Sequence, residues 1–290
     1  MIDSPAILID TTRCVGCEKC VVACKEANGL GKDRPQRGQG AIDALSATRN
    51  ITVRRRPDDR FVPQQCRHCL EPACASACLV GAMHKTPEGP VIYDADKCIG
   101  CRYCMLACPY GIPRYDWDTP APVVHKCTMC YERLTVGGIP ACVEACPQRA
   151  SVFGSRPELL AEARSRLAAE PGKYVPRIYG EHEVGGASVL YLSDRPLSFL
   201  AWKPDLGEQP VPELTWQALE KVPPVVLLMG SLMGGVYWTI NRRMRLAMES
   251  AYRGDPLSAE SNDASAGNGT AGTPAMDPGA TDRAEGQGDA

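Results

Sequence analysis

The chain has 290 residues, 16 of them Cys, and a formal net charge of −2. Its length allows one large domain or two small ones, and its near-neutral charge argues against nucleic-acid binding, which usually requires a basic excess. Only three Phe and four Trp are present, against 27 Gly and 25 Pro. Because so few aromatic side chains are available for a core, we expect something other than side-chain packing to organise the fold.

The first residues predict a strand and not a targeting segment. Residues 1–12 contain a short apolar run at 6–9, but no basic n-region, no long apolar stretch and no twin-arginine pair. We therefore expect no cleavable export signal in the sequence as given. Similar short apolar runs, each near a cysteine motif or a pair of glycines, predict further strands at residues 90–93, 151–153 and 189–192.

Two polar features lie between the first strand and the next cysteine motif. Residues 29–40 are rich in Gly, Arg and Gln and predict a loop, which we place within an insertion at 29–60. Arg54, Arg55 and Arg56 follow one another further along. Three like charges fall short of the longer runs that form interaction tails, so we expect these arginines to be a solvated surface.

A helix is predicted over residues 155–169. Ser155 and Glu158 have the spacing of a capping box, and Leu159, Ala163 and Leu167 recur at four-residue intervals. The same spacing places the three apolar side chains on one face of the helix, which we expect to serve packing alone.

A candidate membrane span occupies residues 222–240, which are nineteen residues without a charge. Crossing a bilayer takes about 20 apolar residues. Tyr237 and Trp238 lie at one end, as interfacial aromatic residues do, and Arg242, Arg243 and Arg245 follow. A buried core helix is the alternative. Gly230 and Gly234 have a spacing that allows close packing against a neighbouring helix, although the glycines can also be incidental.

All sixteen cysteines lie between Cys14 and Cys146, in four groups. Two groups have identical spacing, and two have one lengthened gap. The groups are Cys14-x2-Cys17-x2-Cys20-x3-Cys24, Cys66-x2-Cys69-x4-Cys74-x3-Cys78, Cys98-x2-Cys101-x2-Cys104-x3-Cys108 and Cys127-x2-Cys130-x11-Cys142-x3-Cys146.

This spacing is typical of 4Fe–4S ligation. Two-residue gaps let one tight loop bring three thiolates to three irons of a cluster, and the fourth cysteine ligates the other cluster of a pair. Sixteen thiolates divide evenly into four 4Fe–4S clusters. Zinc is a weaker alternative because its sites combine Cys pairs or add histidines, and a disulfide framework is weaker still because such closely spaced cysteines pair poorly. With complete cysteine sets, His68, His84 and His125 are expected to be structural.

Basic residues beside the cysteines are candidates for tuning the clusters, because charge and hydrogen bonds to sulfur set cluster potentials. They can equally be ordinary surface cations. These residues are Lys19, Lys25, Arg67, Arg102 and Lys126.

With these motifs, the chain resembles the four-cluster ferredoxin-type iron–sulfur subunits of bacterial respiratory oxidoreductases over about residues 6–245. The resemblance rests on residues 97–105 (KCIGCRYCM), 125–127 (HKC) and 138–147 (GIPACVEACP), and on Val152, Gly154 and the helix that follows. The C-terminal apolar segment is similar to that of the subunits from membrane-bound formate dehydrogenase and periplasmic nickel–iron uptake hydrogenase, and the hydrogenase type is slightly favoured. Leu79 departs from the family, in which Pro usually follows the cysteine.

The resemblance implies how the cysteines are shared among the clusters. The implied first set is Cys14, Cys17, Cys20 and Cys146, and the second is Cys24, Cys127, Cys130 and Cys142. The third is Cys66, Cys69, Cys74 and Cys108, and the fourth is Cys78, Cys98, Cys101 and Cys104. Spacing alone does not fix these partnerships.

The resemblance also implies a fold and a role. The expected fold is α+β and loop-rich, with two pseudo-symmetric bacterial dicluster ferredoxin-like modules in residues 1–155. A helix and extended segment at 156–220, a transmembrane helix at 221–247 and a disordered tail at 254–290 are expected to follow.

The implied role is non-catalytic. Single electrons would pass through four 4Fe–4S clusters from a catalytic subunit of hydrogenase or formate dehydrogenase type to an integral membrane, quinone-reactive subunit. The alternative is the same relay in another molybdopterin-type oxidoreductase, running toward a terminal reductase. A catalytic iron–sulfur enzyme is disfavoured, because no cysteine set lacks a ligand and no flavin or pterin motif is found.

The arginines after the span predict a single-pass membrane protein with a cytoplasmic C-terminus and a periplasmic cluster domain. Because the sequence as given carries no export signal, we expect a partner that bears one to carry the folded chain across.

Overall fold

The computed structural model describes residues 4–33, 44–118, 123–197 and 206–253. Part of the predicted loop insertion, residues 34–43, and the predicted tail at 254–290 lie outside the described residues. The chain divides into two units, Met1–Glu220 and Lys221–Ala290.

The first unit is built around a three-stranded sheet. Its strands are β1 (Pro5–Asp10), β8 (Ser151–Ser155) and β9 (Val189–Leu192), with β1 in the centre. β1 pairs antiparallel with β8, placing Ile7 opposite Phe153, and parallel with β9, placing Ile7 opposite Val189. β1 is buried along its whole length, as expected of an apolar central strand covered on both faces.

The two faces of the sheet serve different purposes. Leu8 and Leu190 pack on one face against α6 (Arg156–Ala169). On the other face, Ile7, Val189 and Tyr191 share a core cluster with cysteine-bearing segments. The cysteine-bearing segments therefore pack against this second face of the sheet.

The predicted strands and helix are confirmed, with β1 and β8 longer than predicted. α6 begins with the predicted capping box, in which the Ser155 amide donates to the Glu158 carboxylate at 3.3 Å. Its apolar face buries Leu159 and Ala163.

The cysteine region consists of short helices and two-residue to four-residue strands joined by loops. The strands form three antiparallel pairs: β2 (Thr52–Arg55) with β3 (Phe61–Gln64), β4 (Met83–Lys85) with β5 (Val91–Tyr93), and β6 (Arg114–Tyr115) with β7 (Val124–His125). The helices are α1 (Lys19–Ala27), α2 (Ala73–Ser76), α3 (Tyr103–Ala107), α4 (Tyr131–Thr135) and α5 (Ala141–Glu144). Each helix begins within or directly after a cysteine motif.

The prediction that Arg54–Arg56 is a solvated surface is wrong for Arg56. The Arg56 side chain is buried and donates to Asp194 at 2.6 Å and to Asp58 at 2.7 Å. The sequence pattern gave no sign that the β2–β3 turn and the segment after β9 would bring Asp58 and Asp194 to this guanidinium.

The first unit ends with α7 (Val211–Leu219), and the second unit contains α8 (Val222–Arg253). Among the described residues, one helical stretch, Val211–Arg253, is long and apolar enough to cross a membrane by length and composition. The most apolar part of that stretch is not buried against other described residues. Arg242 lies over the Trp238 ring, 5.2 Å from its centroid, near the end of the uncharged run.

Candidate metal centre

The four cysteine groups share one backbone feature. The residue before the second cysteine has a left-handed conformation in every group, with φ of 73° at Gly16, 46° at His68, 70° at Gly100 and 58° at Met129. Glycine adopts this conformation freely, whereas other residues adopt it at a cost in energy. The turn bends each loop back so that the first two cysteines of a group face the same space.

Amide groups in these loops donate hydrogen bonds to cysteine sulfur. Gly100 N lies 3.4 Å from Cys98 Sγ, and Met129 N lies 3.3 Å from Cys127 Sγ. Met83 N donates to Cys78 Sγ at 3.3 Å. N–H donors of this kind stabilise a thiolate, and hydrogen bonds to sulfur raise the potential of a bound cluster.

The cysteines of the first set lie near one another although they are far apart in sequence. Burial, together with the neighbouring thiols of Cys14, Cys146 and Cys17, raises the pKa of Cys20 to about 12. These four side chains also line one pocket beside Val53 and Pro63. Cys146, which belongs to the fourth sequence group, therefore lies beside Cys14, Cys17 and Cys20 of the first group.

The second set is more deeply buried. Burial raises the pKa of Cys142 well above its usual range, and Cys127, Cys24 and Cys130 are close enough to raise it as well. The Asn28 amide reaches Cys24 from α1, with Nδ2 3.7 Å from Sγ. Asn28 was not singled out in the sequence, because a polar residue at a helix end has many ordinary roles.

The third and fourth sets show the same arrangement. Burial raises the pKa of Cys69, and Cys66, Cys108 and Cys74 raise it further. Burial, together with the neighbouring thiols of Cys78, Cys101 and Cys98, likewise raises the pKa of Cys104 to about 11. For Cys20, Cys142, Cys69 and Cys104, the largest thiol contributions come from the other three members of the implied set, whereas Cys127 is influenced more by Cys66 of the third set than by Cys130 of its own.

Single pairs of thiols connect the sets. Cys142 of the second set is near Cys20 of the first. Cys127 of the second set is near Cys66 of the third, and Cys74 of the third is near Cys104 of the fourth. These electrostatic contributions link the first implied set to the second, the second to the third and the third to the fourth.

The donor set fits iron–sulfur clusters better than the alternatives. All sixteen cysteines lie within the described residues and all are free thiols. In the part of the chain that the structure describes, no three His, Cys, Asp or Glu side chains converge to hold one metal ion. A zinc site needs such convergence, whereas each thiolate of a 4Fe–4S cluster binds a different iron. The free, grouped thiols therefore match the chemistry of a cubane.

The candidate tuning cations differ in burial. Lys25 is half-buried and pairs with Asp33 at 2.7 Å. Lys126 is buried and donates to the Cys127 carbonyl at 2.8 Å and to the Val91 carbonyl. Its charge acts to lower the pKa of Cys74, although burial and neighbouring thiols raise that pKa to about 12. Arg67 is also buried. Lys19 and Arg102 are exposed, and Arg102 covers the Trp117 ring at 4.9 Å from its centroid. The surface interpretation therefore fits the last two.

Comparison with known proteins identifies the family. Residues 58–156 match a family model described as a 4Fe–4S dicluster domain. The chain is 41% identical over 233 residues to the hydrogenase-2 operon protein HybA of Escherichia coli O157:H7, covering 67% of this chain and 71% of HybA.

Two further relatives belong to other oxidoreductases. The chain is 36% identical over 207 residues to the formate dehydrogenase iron–sulfur subunit of Haemophilus influenzae, covering 66% of each. It is 39% identical over 170 residues to the B subunit of the anaerobic dimethyl sulfoxide reductase of Escherichia coli K12, covering 56% of this chain and 79% of that protein. The chain therefore belongs to the family of ferredoxin-type 4Fe–4S electron-transfer subunits of oxidoreductases that includes these three proteins.

Proposed function

We propose that this chain holds four 4Fe–4S clusters, one on each of the four cysteine sets, and relays single electrons between partner subunits. The observation that carries this proposal is the grouping of the thiols: each set of four contains cysteines from two sequence groups, and in each set the pKa of one member is raised by burial and then by the other three thiols. A bound 4Fe–4S cluster supplies one-electron transfer. The polypeptide supplies spacing, insulation and tuning.

The backbone supports an arrangement of two pseudo-symmetric modules. Gly16 and Gly100 occupy the left-handed position of the two groups with identical spacing, and His68 and Met129 occupy it in the other two. Likewise, α2 and α5 each follow a proline, Pro72 or Pro140, in the groups with a lengthened gap. The first and third groups therefore resemble each other, as do the second and fourth, and a repeated dicluster ferredoxin unit would produce this pattern.

The linear order of the sets supports a wire with two surface ends. In the first set, Cys17 is exposed. Beside the fourth set, Leu79 and Leu106 are 73% and 83% exposed. The second and third sets lie between them, with Cys127 and Cys142 buried. Electrons would enter at one exposed end and leave at the other.

The relatives suggest the chemistry of the partners. HybA and the formate dehydrogenase subunit favour a catalytic subunit that oxidises hydrogen or formate, with electrons passing to an integral membrane, quinone-reactive subunit. The similarity to the dimethyl sulfoxide reductase subunit supports the second candidate, in which the same relay feeds a terminal reductase. The polypeptide described here carries no substrate chemistry in either case.

We place α8 in the lipid bilayer as a single span, with the cluster domain periplasmic and the C-terminus cytoplasmic. The uncharged run of nineteen residues and the arginines that follow it support this topology. Fusion of a fluorescent protein and of alkaline phosphatase after Arg253 tests it. The fluorescent fusion should be bright and the phosphatase fusion inactive, and the reverse pattern would refute the proposed sidedness.

Iron analysis and redox titration test the proposed function. The anaerobically purified chain should contain about sixteen irons, and its visible absorption should bleach on reduction as paramagnetic centres appear. Purification in mild detergent should also recover a catalytic partner. Zinc in place of iron, or iron that is redox-silent, would refute the relay.

A further inference from the structure

His68 is a buried polar side chain in a position that favours glycine. It lies between Cys66 and Cys69, its φ is 46°, and its side chain is fully buried. The equivalent positions in the first and third groups are Gly16 and Gly100. A non-glycine residue in this conformation is held there against a steric cost, which is more often found where the side chain has a task.

Backbone hydrogen bonds on both sides of His68 impose this conformation. The Arg67 carbonyl accepts from Val189 N at 3.0 Å, and the His68 carbonyl accepts from Ser188 N at 3.0 Å. Leu70 N donates to the Gly186 carbonyl at 3.0 Å. The loop is thus fixed to the segment that leads into β9, and the Val91 amide, 3.0 Å from Nδ1, holds the imidazole itself.

The tautomer of His68 follows from the hydrogen bond that its imidazole ring accepts. Val91 N donates to His68 Nδ1 at 3.0 Å, so Nδ1 is an acceptor and carries no proton. The proton of the imidazole is therefore on Nε2. No described group accepts a hydrogen bond from Nε2, which is itself buried. A buried N–H donor without an acceptor is costly, so a native protein normally supplies one.

Met129 shows that filling space does not require a polar side chain. It occupies the equivalent position in the fourth group, with φ of 58° and a side chain that is 1% exposed. The thioether side chain of Met129 fills this position although it has no hydrogen-bond donor. The need to fill this space therefore does not explain why the side chain of residue 68 carries an N–H donor.

We infer that His68 Nε2–H donates a hydrogen bond to a sulfur of the cluster held by Cys66, Cys69, Cys74 and Cys108. This inference rests on the proposed function, since it requires a cluster on the third set. The bond makes His68 a positioning and tuning residue for that cluster. Donors to cluster sulfur stabilise the more negative, reduced state, so His68 raises the reduction potential of this cluster above the value it would otherwise have.

The test compares three variants of the full chain with the wild type. His68→Gly removes the donor and leaves the residue that the first and third groups use. Met129→Gly makes the same backbone change at the equivalent position without removing a donor. His68→Gln keeps an N–H near the position of Nε2. Redox titration followed by electron paramagnetic resonance should show one cluster with a lowered potential in His68→Gly, restored toward wild type in His68→Gln and unchanged in Met129→Gly.

A spectroscopic readout separates a direct bond from a structural effect. Histidine labelled with ¹⁵N in the imidazole ring should give a hyperfine coupling to a reduced cluster in the wild type, and His68→Gly should lose it. Wild-type protein that contains its clusters but shows no such coupling would overturn the inference, even if His68→Gly failed to load iron. Wild-type protein without clusters would instead refute the proposed function.

Discussion

The guanidinium carbon of Arg67 lies 4.4 Å from the centroid of the Tyr191 ring, and both side chains are buried. Tyr110 stacks on the same guanidinium at 5.3 Å, and the Tyr191 hydroxyl donates to the Pro63 carbonyl at 2.9 Å. The positive charge of Arg67 also lowers the pKa of Cys69, which burial and neighbouring thiols raise. A cation is thus held between two aromatic rings beside the third cysteine set.

Replacing Arg67 by Met should lower the potential of the cluster on the third set. Removing a buried positive charge disfavours the reduced state, and the expected fall is on the order of 50–100 mV for one electron. Redox titration followed by electron paramagnetic resonance measures it. Arg102→Met is the matched control, because Arg102 is exposed and its charge is screened by solvent. Equal shifts in the two variants would contradict the proposed role of burial.

Gly180 is the residue that makes room for Arg67. Its φ is 93°, and a Cβ there would lie 2.6 Å from Arg67 Nη2 and 2.9 Å from the Val189 carbonyl oxygen. Gly172 has a similar φ of 91° but no neighbouring atom within 4 Å of such a Cβ. Gly172→Ala should therefore cost about 1–2 kcal/mol of backbone strain, and Gly180→Ala distinctly more.

Thermal unfolding, followed by the loss of visible cluster absorption, compares these two glycine variants. The prediction is a larger decrease in the unfolding temperature for Gly180→Ala than for Gly172→Ala. Gly180→Ala should also alter the potential of the third set, because it displaces the guanidinium. Similar unfolding temperatures for both variants would show that the space around Gly180 is not restricted.

Asp10 connects β1 to α6 and to the segment before β9. Its carboxylate is fully buried and accepts hydrogen bonds from Thr12 Oγ1 at 2.6 Å, Tyr174 Oη at 3.0 Å and Arg166 Nη1 at 3.3 Å. Asp10→Ala should reduce the free energy of unfolding by about 1–3 kcal/mol, because it removes a buried acceptor and leaves the buried Tyr174 hydroxyl without this partner.

The control for Asp10 is an exposed ion pair. Asp59 pairs with Arg55, and both side chains are largely exposed. Exposed pairs contribute little to stability, so Asp59→Ala should leave denaturant unfolding nearly unchanged. A comparable loss of stability in both variants would contradict the claim that the hydrogen bonds of Asp10 hold the sheet to α6.

A chain ending after Glu220 should leave the membrane and keep its clusters. The first unit contains every cysteine, whereas the apolar run that we place in the bilayer begins at Val222. Membrane fractionation and iron analysis measure the two properties. A chain ending after Arg253 serves as the control and should remain with the membrane. Membrane association of the shorter chain would mean that α8 is not the anchor.

Local patterns in the sequence predicted the elements that local patterns control. Val189–Leu192 was predicted with its observed bounds, and the capping box at Ser155 places the start of α6. The parallel pairing of β9 with β1 was not predictable, because it joins segments far apart in the chain. The pair β2 and β3 was also missed, since Thr52–Arg55 is half charged and reads as a loop.

The sequence predicts which residues are the candidate ligands, but it does not predict their surroundings. Cysteine spacing identifies ligands because a cluster imposes its own geometry on a short loop. The burial of Lys126 and Arg67 depends on how distant strands pack, so their sequence positions did not distinguish them from exposed cations such as Lys19. The same holds for His68, whose role depends on the amide of Val91 in another segment.

The sharing of clusters between distant cysteine groups is tested most directly by four single substitutions. Cys20→Ala and Cys146→Ala should remove, or convert to a three-iron form, one and the same cluster, as judged by electron paramagnetic resonance and iron content. Cys24→Ala and Cys142→Ala should both alter a second, different cluster. If Cys20→Ala and Cys24→Ala instead changed the same signal, and Cys142→Ala and Cys146→Ala changed another, each sequence group would bind its own cluster and the proposed sets would be wrong.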